Sequence, residues 1–218
     1  MQTSRPQTVG EEIANSITHG VGFLLSVAAL PILIVVAARH GDAWRIAAAS
    51  VYGATLVLLY AASTLYHALP GRRVKEVFRR CDHAAIYVLI AGTYTPFMLG
   101  PLRGPWGWSV LGVVWGLALI GVVCKETLGV RLSMLSTMLY VAMGWIVLVA
   151  VVPLVQHVAA LGVALIFAGG VLYTAGVAFY VFDHRIRFGH AVWHLFVLAG
   201  SAVHCWAVLG YAVQRTVT

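Results

Sequence analysis

The sequence predicts an all-α integral membrane protein: a bundle of seven transmembrane helices with the amino terminus in the cytoplasm and the carboxyl terminus outside. Three observations carry that prediction. The 218 residues are 61% hydrophobic and only 10% charged, more apolar than one small soluble core can bury. The apolar residues come in long blocks, most near the ~20 residues a helix needs to cross the hydrocarbon; a transmembrane barrel would show short alternating segments instead. Basic residues gather in alternate connections between the blocks, and that bias sets orientation.

The blocks run Ile17–Ala38, Ala43–Ala68, Ala84–Leu102, Trp106–Cys124, Leu132–Val152, Val158–Phe182 and His190–Val213, separated by charged or turn-forming residues. Ahead of them, MQTSRPQTVGEEIANSITHG is polar and carries Glu11 and Glu12. It lacks the basic start, short apolar run and cleavage site of a secretory signal. Residues 1–16 are therefore expected to form a cytoplasmic segment, 17–213 one transmembrane domain, and 214–218 a short tail. The connections are short, and no internal repeat is evident.

One side of the membrane receives Arg5, then Arg72, Arg73, Lys75, Arg79 and Arg80, then Lys125 and Arg131, then Arg185 and Arg187; the other receives Arg39, Arg45, Arg103 and Arg215. The first side is the cytoplasmic one, and the expected location is the cell (inner) membrane, as a multi-pass protein. The net charge of +7 lies at the ends of apolar blocks, so the partner it implies is the lipid bilayer, with no nucleic acid expected. Nothing in the sequence names a protein partner. Cys81, Cys124 and Cys205 are too far apart for a disulfide framework or thiolate cluster and read as packing residues. Trp44, Trp106, Trp108 and Tyr211 read as interfacial anchors, and Gly112 with Gly116 as a close-packing pair.

Ionisable groups at membrane depth cost about 2.5 to 3.5 kcal/mol each on insertion scales and ask for a partner, a cavity or a function. Here they converge. His67 ends the second span, Asp82 opens the third, and His190 and His194 open the seventh, so all four fall on the cytoplasmic side. In GHAVWHLF the two histidines are four residues apart and project from one helix face, able to hold one metal ion. His67, from STLYHALP, supplies a third ligand, leaving a position for water as in many catalytic zinc sites. Ser63 lies one turn before His67, placed to hydrogen-bond a ligand or the water. Asp82 either completes the site or accepts a proton from that water, and the second role suits it better. Imidazole serves zinc, copper, iron and nickel alike; Zn2+ is the default for three histidines and a water. The plainer alternative is interhelical hydrogen bonding. His40, His157 and His184 read as loop or span-end residues; His19, His83 and His204 as packing or supporting ones.

EEIANSITHGVG, STLYHALP, DHAAIYVLIAGTYTPF and GHAVWHLFVLAGSAVH together resemble the bacterial hemolysin III proteins, a branch of the progestin and adipoQ receptor family, in order along nearly the whole chain. The resemblance implies seven helices with the amino terminus inside. It also implies a zinc site on His67, His190 and His194, with Asp82 and Ser63 acting through water. Alkaline ceramidases share the pattern and hydrolyse a lipid amide. By that analogy Asp82 would be the general base and Ser63 would stabilise an oxyanion. Three functions follow: a zinc-dependent lipid amide hydrolase in membrane lipid homeostasis, a non-enzymatic regulator with structural zinc, and a cytolysin or channel. The last would need a polar stripe through several spans, which the sequence lacks.

Overall fold

A computed structural model describes residues 7–128 and 133–214, and among these the chain is helical with short connections and no strand. In order come α1 (Val9–His40), α2 (Ala43–Ala68), α3 (Arg72–Leu99), α4 (Pro105–Leu128), α5 (Ser133–Gly144), a 3₁₀ turn (Trp145–Ala150), α6 (Val151–His157), α7 (Ala160–Val181) and α8 (Gly189–Tyr211). Six helical stretches are long and apolar enough to cross a membrane: α1, α2, Pro105–Lys125, Met134–His157, α7 and α8. α3 is not among them, because Arg72, Arg73, Lys75, Glu76, Arg79, Arg80 and Asp82 charge its first three turns. Arg5, Arg131, Leu132 and Arg215, used in the sequence reading, lie outside the described residues, as do four residues of the expected tail.

α2 has the expected limits, but α1 begins eight residues before Ile17. Thr8 starts it with a capping box: its hydroxyl accepts from Glu11 N–H at 3.4 Å, while its own N–H donates to Glu11 Oε2 at 2.9 Å. The polar opening of the chain is thus largely helix, with Glu11, Asn15, His19, Gly22 and Ser26 along one buried face. α3 likewise begins twelve residues before Ala84. Hydropathy marks only the apolar part of a helix, whereas Arg, Lys and Glu are good helix formers and extend it beyond the hydrocarbon.

The expected fifth span is not one continuous α-helix. It breaks after Gly144 into the 3₁₀ turn and resumes as α6, ending at His157 instead of Val152. Backbone groups freed in a helix break need partners in lipid, and Tyr94 of α3 supplies them. Its hydroxyl meets Met143 O at 2.9 Å and Gly144 O at 2.7 Å, and accepts from Val147 N–H at 2.9 Å.

α1 packs on α2, α2 on α3, α3 on α4 and α7 on α8, and α1 also meets α8 to close the core. Two glycines permit the closest approaches: a Cβ on Gly22 would lie 2.5 Å from the Tyr60 ring, and one on Gly92 would lie 2.2 Å from Thr55 Oγ1. Gly112 and Gly116 face open space, so the expected packing pair is not packed within this chain. Cys81 is exposed and is not a packing residue either. Trp44 and Trp108 are exposed and meet edge to face at 5.3 Å.

Candidate metal centre

One buried stripe of α2 carries Leu56, Tyr60, Ser63 and His67, and one of α8 carries Ala191, His194, Val197, Ser201 and His204. Helical spacing of three and four makes these stripes. Where they meet, His67, His190 and His194 each offer a ring nitrogen, and the three atoms lie within 4.8 Å of one another. His67 and His194 are buried, at 5% and 0% exposure. Asp82 is not in this cluster. It is buried on α3 facing Ser63 and His190, a placement that suits action beside a ligand set more than membership of it.

The other nitrogens decide whether the site fits a metal. His67 Nδ1 donates to Glu12 Oε2 at 2.7 Å, and His190 Nδ1 to Asp183 Oδ2 at 3.2 Å. His194 Nδ1 lies 3.3 Å from Asn15 O and 3.2 Å from Thr18 Oγ1. Carboxylate and carbonyl only accept, so each Nδ1 carries the proton and each Nε2 is left with a lone pair. All three Nε2 atoms are buried without a hydrogen-bond partner among the described residues. Buried polar groups are rarely left unpaired, and imidazoles held through one nitrogen by oxygen acceptors are the usual form of metal-ligating histidines. The residues fit a divalent transition metal; neutral imidazole does not choose which one.

Sequence reasoning missed the four residues that hold the rings: Glu12, Asn15, Thr18 and Asp183. A signal was present for three of them. Glu12, Asn15 and His19 recur at three- and four-residue spacing at the head of a long helix, with Thr18 beside them. Asp183 had none, since the turn between α7 and α8 brings it to His190. His19 stacks on His194, ring centroids 3.5 Å apart and planes 12° from parallel. Glu11 Oε1 accepts from the N–H of Phe188, whose φ of 59° sets the entry into α8.

The same end of the bundle is basic. Lys75 Nζ donates to Glu12 Oε1 at 2.6 Å. Arg79 makes two hydrogen bonds to Glu76, at 3.0 and 2.8 Å; these, with help from Arg80, hold the Glu76 carboxyl down at about 2.

Comparison with known proteins places this geometry in a family. The sequence model of the family described as Haemolysin-III related matches residues 7–205, from just before Glu12 to just past His204. The chain belongs to that family. It is 49% identical over 207 residues to the hemolysin-3 homolog of Bacillus subtilis (strain 168), covering 95% of this chain and 97% of that protein. It is 47% identical over 211 residues to hemolysin-3 of Bacillus cereus, 97% of this chain and 96% of that protein. The human monocyte to macrophage differentiation factor is 30% identical over 216 residues, 94% of this chain and 85% of that protein. Within the haemolysin-III family the chain is a multi-pass membrane protein, with three histidines of α2 and α8 gathered at one end of its helices.

Proposed function

We propose that this haemolysin-III-related protein is a zinc-dependent hydrolase of a membrane lipid amide, working at the cytoplasmic end of seven membrane-crossing helices. α3 is the additional crossing, its charged first turns standing in the cytoplasm. Lys75, Arg79, Arg185 and Arg187 lie at the end that holds the histidines, which supports an inward-facing site.

The observation that carries the hydrolytic reading is a cavity of about 150 Å³, almost wholly apolar, that reaches the site at Asp82 and His19. It extends between α3, α5, α7 and α8 to Trp145 and Thr174. Gly144 and Thr174, on its rim, are exposed on the lipid-facing side. A hydrocarbon chain entering there would place its polar end beside Asp82 and His19, whose ring stacks on that of His194.

Zinc held by the Nε2 atoms of His67, His190 and His194 would supply Lewis acidity and lower the pKa of a water toward about 7. The chain's own groups do the rest. Asp82 takes the proton as the water oxygen bonds to the amide carbon, and returns it to the nitrogen as the C–N bond breaks, giving a fatty acid and an amine. Ser63 Oγ, buried beside Asp82, donates to the oxygen that becomes negative. Glu12, Asn15 and Asp183 keep the imidazoles turned inward, and the apolar walls exclude bulk water.

A second reading has one specific observation in its favour. His194 is fully buried and the site joins α1, α2 and α8, so zinc there would also fasten the bundle and could serve a non-enzymatic regulator. Elemental analysis of detergent-purified wild type and His194→Ala, with a ceramide-type hydrolysis assay on the same samples, separates the two. One zinc per chain lost in the variant, with turnover in the wild type, supports the hydrolase. Zinc without turnover on several lipid amides supports the regulator. No zinc overturns both.

A further inference from the structure

Deep in the bundle, about 15 Å along α8 from His194 by helical rise, stands an imidazole that the proposed reaction does not use. His204 is 9% exposed. Its Nε2–H donates to Ile166 O of α7 at 2.9 Å, which leaves Nδ1 as an acceptor with a free lone pair. That Nδ1 is buried and has no partner among the described residues. The ring is seated deliberately: a Cβ on Gly169 would come within 2.2 Å of it, so only glycine leaves room for it there.

His204 lines the cavity that begins at Asp82. It also lines a second, smaller one of about 50 Å³ that continues toward Met98 and Leu154. The two share a waist at Thr93, Tyr94, Gly144, Trp145, Gly170 and His204. The other polar side chains at that waist are satisfied internally: Thr93 Oγ1 donates to Leu89 O, Tyr94 serves the helix break, and Trp145 Nε1 donates to Thr174 Oγ1. His204 thus carries an unmet acceptor, Nδ1, in a ring that borders the middle of an otherwise apolar, chain-shaped space. An unpaired buried acceptor is unfavourable and is relieved by any donor brought to it.

We propose that His204 Nδ1 is a recognition point for a hydroxyl carried partway along the hydrocarbon chain of the bound lipid. The preferred ligand is then a single-chain lipid with its polar head at the histidine triad and an O–H near mid-chain. The inference rests on the lipid reading above and adds to it a feature of the substrate. The separation of about 15 Å corresponds to roughly the first dozen carbons of an extended chain, so a hydroxyl close to the head group does not reach the ring.

The test is equilibrium binding of radiolabelled stearate, 2-hydroxystearate and 12-hydroxystearate to the full-length wild type, His204→Phe and His204→Gln in nanodiscs, with metal content as the check on folding. The expected result is that wild type binds 12-hydroxystearate about tenfold more tightly than the other two, one hydrogen bond's worth of selectivity. His204→Phe should lose that preference while still binding stearate, and His204→Gln, whose amide oxygen accepts, should recover part of it. Equal affinity of wild type for all three lipids overturns the inference and leaves the lipid reading standing. Binding of none overturns the lipid reading itself. If His204→Phe fails to fold, the wild-type contrast between the 2- and 12-hydroxy isomers still decides.

Discussion

Glu12 grips His67 and Lys75 at once, with Oε2 2.7 Å from the imidazole Nδ1 and Oε1 2.6 Å from the ammonium. The carboxylate therefore fixes the ring's orientation and joins α1, α2 and α3 at the site. Glu12→Gln should weaken metal binding about 10- to 100-fold without abolishing it, read by competition against a chelator of known affinity. Unchanged affinity would mean that the contact does not orient the ligand.

Single alanine changes at His67, His190 and His194 should each release most of the metal. Asp82→Ala should keep it and lose hydrolysis, and Ser63→Ala should be milder. Metal content and turnover measured on the same preparations check all five, and full occupancy in His190→Ala would disprove the ligand assignment.

Tyr94→Phe removes one hydroxyl but leaves two carbonyls and one N–H at the break after Gly144 without their partner. The expected cost is about 1 to 3 kcal/mol, seen as a lower unfolding temperature in detergent, with metal content unchanged. A variant as stable as wild type would show that other groups or water serve the break.

Gly92→Ala places a methyl where Thr55 Oγ1 now stands and must push α3 from α2. Overpacking of this kind costs about 1 to 3 kcal/mol. Because these helices carry Asp82 and Ser63, hydrolysis should fall more than metal binding does. Comparing the two readouts tests it.

Hydrogen bonds from Arg79, chiefly, and Arg80 depress Glu76 from 4.5 to about 2. A carboxyl lowered in the folded state contributes stability that is complete above its unfolded value and is lost as pH falls through the folded one. Wild type should therefore lose this contribution between about pH 4.5 and 2, whereas Glu76→Gln should lack that part of the acid dependence. Superimposable acid-unfolding profiles would refute it.

Much of this was legible in the sequence. The apolar block Ala43–Ala68 is α2 to the residue, because Asp42 caps it and Pro70–Gly71 follow it closely. His190 and His194 announced a shared face by their spacing, and His67 joined them by its depth in the topology. What stayed hidden depended on contacts between distant residues. Asp183 reaches His190 through a turn, and Tyr94 stabilises a break fifty residues further on, which no local pattern records. The early start of α1 was different: the Thr8 and Glu11 capping box was in view, but a hydropathy reading gives no weight to a polar turn outside the apolar block.

The first turns of α1 supply Glu12, Asn15 and Thr18 to the histidine rings, whereas the last turn of α8 ends at the opposite pole, where Arg45 Nε donates to Ala212 O at 3.3 Å. The two ends of the chain are therefore unequal for anyone handling the protein. Added bulk at the first turns of α1 would press on the groups that hold the imidazoles, whereas bulk beyond the last turn of α8 would not. A polyhistidine tag binds zinc at either end and has to be removed before the metal is counted.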